Sequence, residues 1–114
     1  MQTLIILVVG LLAVGCATLR DRVIGTYESR HGTNFLKIII LENSVIEGYQ
    51  DGEKEEDSKW SIVGKEVHVE EPNNGGISVA RINPDGSLTA TAMIKNGKRE
   101  DLPKEDQFTF KKIK

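Results

Sequence analysis

Three residues stand at a spacing that could hold a divalent cation: Glu66, His68 and Glu70. In an extended strand, alternate side chains project to the same face. An imidazole between two carboxylates would then be presented together, a donor set that suits Zn²⁺. The plainer reading is a solvated face, because Val67 and Val69 alternate with these residues and need the opposite side. His31 sits beside Gly32 in a polar break and reads as a surface residue. The acidic run from Asp51 to Asp57 is interrupted by Lys54 and lacks the alternating ligand spacing of an EF-hand loop. It reads as a solvated hairpin tip. Between Arg20 and Lys114 no nucleophile–base pair and no phosphate-cradling loop occurs. No catalytic residue, resident metal or other cofactor is therefore expected, and a metal-dependent enzyme or metal-binding protein using the Glu66/His68/Glu70 face stands as the alternative.

A different chemistry attaches to Cys16, the only cysteine. Residues 4–15 are uncharged, almost wholly apolar, and end directly before it. The run is too short to span a bilayer, which takes about 20 apolar residues, and has the length of a signal-peptide core. It resembles the signal peptide and lipobox of a bacterial lipoprotein, in which the cysteine is lipidated and the residues before it are removed. The family places Leu three residues before the cysteine; here Ala13, Val14 and Gly15 precede it, with Leu12 one place early. Met1-Gln2-Thr3 brings no Lys or Arg. Ala13 and Gly15 would also suit an ordinary secretory peptidase, leaving Cys16 unmodified, as the second reading, and an uncleaved anchor or a core strand is the third. The resemblance implies a helical signal peptide over 1–15 and a palmitate-type anchor on Cys16. It further implies a short tether over 16–22 and attachment to a membrane of the bacterial cell envelope, facing the periplasm or exterior.

Without residues 1–15 about 99 remain, a common size for one domain. The formal net charge of −2, from 15 basic and 17 acidic residues, belongs entirely to this part, since Arg20 is the first charged residue. So balanced a surface gives no electrostatic footprint for nucleic acid. Nor does it favour anionic lipid.

The elements that would carry any site read as strands. Apolar or alternating segments cover 23–29, 35–41, 45–50, 59–63, 67–70, 77–82, 88–95 and 107–113. Between them lie turn signals: Asp51-Gly52, Gly64-Lys65, Pro72 to Gly76, Asn83-Pro84-Asp85-Gly86 and Asn96-Gly97. The Asx-Gly turns are unevenly spaced, which excludes a repeat array. In the segment 88–95, Leu88, Ala90, Ala92 and Ile94 share one face while Thr89, Thr91, Met93 and Lys95 share the other. Short strands at regular spacing predict an all-β, antiparallel up-and-down meander of about eight strands over 23–114, closed as a small barrel or sandwich.

Gly25-Thr26-Tyr27 near the start, the segment Ser58 to Val69 around Trp60, and Phe108-Thr109-Phe110-Lys111-Lys112 at the end resemble the small lipocalin-like lipoproteins. Ser58 departs from that pattern, which often has Gly there. The resemblance spans most of 23–114 and implies an up-and-down barrel or half-barrel, a fold that hosts ligand binding, chaperoning and structural roles. Tyr27 and Trp60 are expected to face inward, as core or as the wall of a pocket. The expected function is a lipid-anchored, non-catalytic binding or interaction module of the envelope. Its partners would be the membrane through Cys16, and a small apolar ligand or an envelope protein.

Overall fold

Ile and Val at alternate positions favour a pleated, half-buried surface, and such positions recur along the chain. The computed structural model describes residues 18–114. Residues 1–15 and Cys16 lie outside the described residues. A short helix, α1 (Leu19–Val23), leads into β1 (Gly25–His31), β2 (Asn34–Ile40), β3 (Val45–Gln50), β4 (Glu53–Lys54) and β5 (Ser58–Val63). There follow β6 (Glu66–Glu70), β7 (Ile77–Ile82), β8 (Leu88–Lys95), β9 (Lys98–Asp101), a 3₁₀ turn (Lys104–Asp106) and β10 (Phe108–Lys112).

Consecutive strands pair antiparallel from β1 to β3 and from β5 to β8; β3 pairs β5, and β10 bonds both β8 and β1. The expected all-β meander is thus a closed barrel of eight strands, with β4 and β9 as extensions outside the ring. Closure removes the free edges that an open sheet would present. β9 and β10 oppose the same edge of β8: Asp101 stands opposite Ala92, and Phe108 opposite Ala90. They behave as one returning strand interrupted by the Leu102–Gln107 excursion. Asn96 (φ 53°) and Gly97 (φ 73°) make the left-handed turn that starts the return.

Register carries the apolar set inward. Tyr27 faces Ile38, Ile40 faces Ile46, Trp60 faces Val69, Ile62 faces Val67, and Leu88 faces Phe110. Tyr27, Ile40, Ile46, Trp60, Val67 and Leu88 form one buried cluster with Val23 of α1.

Of the segment expected as a tether over 16–22, residues 19–22 are helical, while 16 and 17 lie outside the described residues. The Thr18 side chain accepts the Asp21 N–H (3.2 Å) and caps α1, as N-cap threonines do. Three side chains then hold α1 against one end of the barrel. Tyr27 donates to the Val23 carbonyl (2.6 Å) and Lys112 to that of Arg22 (2.7 Å). Arg20 lies 4.2 Å over the Trp60 ring and donates to the Glu42 carbonyl (2.8 Å) and to Ser44 Oγ (2.9 Å). Such bonds satisfy carbonyls that a helix end would otherwise leave unpaired. No described helix is long and apolar enough to cross a membrane.

The alternation expected along β8 is broken. Val79 stands opposite Ala92 and Ala80 opposite Ala90, so Thr91 is an extra residue on β8. A bulge of this kind changes which side chains face inward. Met93, expected opposite the Leu88–Ala90 face, instead lies across from Ser78 and lines the interior.

Two substitutions test this packing. Trp60 is 3% exposed and its indole N–H donates to the Leu41 carbonyl (2.8 Å); Trp60→Ala should cost about 3–5 kcal/mol in urea denaturation. A Cβ on Gly25 (φ 153°) would lie 2.4 Å from the Lys114 carbonyl oxygen. Gly25→Ala should therefore destabilise by more than about 1 kcal/mol, measured the same way.

Candidate functional site

The closed end holds α1, the Leu41–Ser44 turn and the β7–β8 turn; the opposite end is less filled. Small side chains explain part of this. Ala80 and Ala90 stand side by side, and Gly48 opposite Ile38 adds no side chain at all. Between the core cluster and the open end lies a cavity of about 260 Å³. Its wall is mostly apolar, with Ile38, Ile46, Val69, Met93, Phe108 and Phe110 contributing. Above it opens a mouth of about 370 Å³, and the two spaces share Ile38, Ile46, Val69, Glu71 and Phe110. For scale, an apolar cavity of about 150 Å³ is enough to take benzene, and binding sites for small molecules commonly reach 300–1,000 Å³.

Polar groups on this wall are few. β6 ends at Glu70, and Glu71 continues its inward phase two residues after Val69. The Glu71 N–H donates to the Gly76 carbonyl (2.8 Å), fixing the base of the β6–β7 loop. Its carboxylate accepts a 2.5 Å hydrogen bond from Ser78 Oγ, which also lies 3.4 Å from Met93 Sδ. Glu55 and Glu56, both exposed, reach the mouth from the loop after β4.

Tyr27 and Trp60 are placed at the other end. Both are buried in the core cluster with their polar atoms bonded to backbone carbonyls, and neither lines the cavity. Burial pushes the Tyr27 phenol up to about 12, keeping it a neutral donor to α1. A ligand in the cavity would meet Glu71, Ser78, Met93, Phe108 and Phe110 instead. Of these, only Phe108 and Phe110 announce a shared face by simple alternation. Glu71 had a signal too, its two-residue step from Val69, masked by its place in a polar Glu70-Glu71-Pro72 break.

Glu66, His68 and Glu70 do share the outer face of β6, but they are otherwise engaged. Arg99, on β9, clamps Glu66 at both oxygens (2.9 and 2.8 Å) and also bonds Asp101 (3.1 Å). His68 Nε2 lies 3.2 Å from Glu66 Oε1, while Glu70 is exposed and paired in register with Lys59 and Ile77. Arg99 thus occupies the acceptors a cation would need. Among the described residues no group of three His, Cys, Asp or Glu side chains is arranged to hold a metal ion. His31 ends β1 and packs its ring against Phe108 (4.7 Å between centroids). In the acidic run, Asp51 accepts the Phe35 N–H (2.8 Å) and Lys54 pairs with Asp57 (3.2 Å), as befits a hairpin tip.

Neither a protein-family model, nor a curated protein, nor a solved structure matches this chain.

The Arg99 hydrogen bonds hold the Glu66 carboxyl well down, from 4.5 to about 2. A carboxyl depressed on folding stabilises the fold above its ordinary value, and this stabilisation fades as pH drops through the folded value. Wild type should therefore lose stability between about pH 4.5 and pH 2 more steeply than Glu66→Gln, as measured by urea midpoints across that range. At pH 7, Arg99→Gln should cost about 1 kcal/mol, the scale of a well-formed surface pair.

Proposed function

We propose that this protein is a lipid-anchored binding module of the bacterial cell envelope that holds a small apolar ligand in its barrel and performs no catalysis. The observation that supports this reading best is the blind apolar cavity, plugged by α1 at one end and open at the other. A site of this kind is concave, largely preformed and furnished with few polar groups, the usual anatomy of small-molecule sites. The apolar run ending at Cys16 supports the anchor. Thr18 already caps α1, leaving Ala17 between it and Cys16. Acyl chains on Cys16 would hold the plugged end toward the bilayer and turn the mouth away from it. Two or more chains anchor stably where one is marginal, because each buried CH₂ adds about 0.8 kcal/mol.

Two measurements test the reading. Mass spectrometry of the membrane fraction should find a mature chain beginning at acylated Cys16, and Cys16→Ser should shift the protein out of that fraction. An unmodified wild-type chain in the soluble fraction would overturn the anchor. Calorimetric titration with decanol should show saturable binding, lost in Met93→Trp, which fills the cavity. Binding unaffected by that substitution would overturn the cavity as the site.

A further inference from the structure

The cavity holds one ionisable side chain that the fold does not consume. Glu71 stands where apolar wall gives way to mouth, and among the described residues it forms no ion pair. Ser78 Oγ donates to one of its carboxylate oxygens at 2.5 Å and so fixes the group where the two spaces meet. Glu71 lines the same space as Phe110, Ile46 and Val69, and its one side-chain partner among the described residues is the neutral Ser78 hydroxyl. A carboxylate bordering an apolar space is matched best by a cationic donor.

The other charges at the mouth point the same way. Glu55 and Glu56 add two carboxylates. Among the described residues the one basic side chain there, Lys37, belongs to the outer phase of β2 and holds its ammonium 5.6 Å from the Tyr49 ring centroid. A ligand entering this end meets a negative rim, then Glu71, then an apolar interior.

We propose that the cavity selects a cationic amphiphile: a single apolar chain or ring system that fills the barrel and carries a protonated amine placed against Glu71. This rests on the reading of the cavity as a binding site, and goes beyond it by specifying the head group. The ammonium donates to the carboxylate oxygen that Ser78 leaves free, while the tail packs between Met93 and Phe110. A fatty carboxylate of the same length would bring like charge to Glu71 and is excluded from this orientation. A neutral alcohol fits, but leaves the charge on Glu71 uncompensated.

Titration of the full-length protein at neutral pH with decylamine, decanol and decanoate, below their aggregation concentrations, separates these cases. Decylamine should bind about tenfold more tightly than decanol, the scale of one charge-assisted hydrogen bond, with decanoate the weakest. Glu71→Gln retains an acceptor for Ser78, and should abolish the preference for decylamine over decanol. Equal affinities, a preference for decanoate, or an amine preference that survives Glu71→Gln would each overturn the head-group assignment while leaving the cavity as a site. Absence of binding by all three would overturn the cavity reading itself. Should Glu71→Gln fail to fold, the wild-type ranking of the three head groups decides alone.

Discussion

The interior of this barrel depends on a plug. A ring of eight strands leaves two open ends, and an apolar core accessible from both would be wetted. Tyr27 resolves one of them: its ring fills the core while its hydroxyl donates to the last carbonyl of α1, 2.6 Å away. The bond joins the helix to the strand that follows it and seats Val23 among Ile40, Trp60 and Leu88. Lys112 and Arg20 reinforce the same junction from opposite ends of the chain. A five-residue helix has almost no stability of its own in water; it exists here because the barrel supplies its partners.

The strands were legible because alternation and turn chemistry coincide. Trp60 and Ile62, Val67 and Val69, and Phe108 and Phe110 each declare a buried face, and Asn96-Gly97 announces a reversal. What escaped notice lacks an apolar period. β9 is Lys-Arg-Glu-Asp and wholly exposed, so nothing in its composition separates it from a loop. α1 spans barely more than one turn, with a single cap to betray it. The bulge at Thr91 arises from a mismatch between β7 and β8, and neither strand shows it alone.

The same limits governed the candidate sites. Glu66, His68 and Glu70 were correctly grouped on one face, but the residue that determines their chemistry, Arg99, lies three strands away in the sheet. Ion pairs between such distant positions leave no local trace. Glu71 was obscured for the opposite reason, since it sits in the most polar local company while pointing toward the least polar space. Cavities, too, are properties of register: Ala80 stands beside Ala90, and the bulge that follows brings Met93 level with Ser78 on the interior wall.

The pairing of β10 with β1 has a consequence for how the molecule is made. Tyr27 meets Lys112, and Thr26 exchanges backbone hydrogen bonds with Ile113 and Lys114, so the ring is completed by a strand more than 80 residues away in sequence. Every other pairing in the ring from β1 to β8 joins segments close in sequence and can zip as it emerges. The final seam must wait for β10, and long-range closure of this kind slows folding. Until then β1 and β8 expose unpaired backbone, the state in which strands most readily add to a neighbouring chain. Deletion of β10 would leave that state permanent.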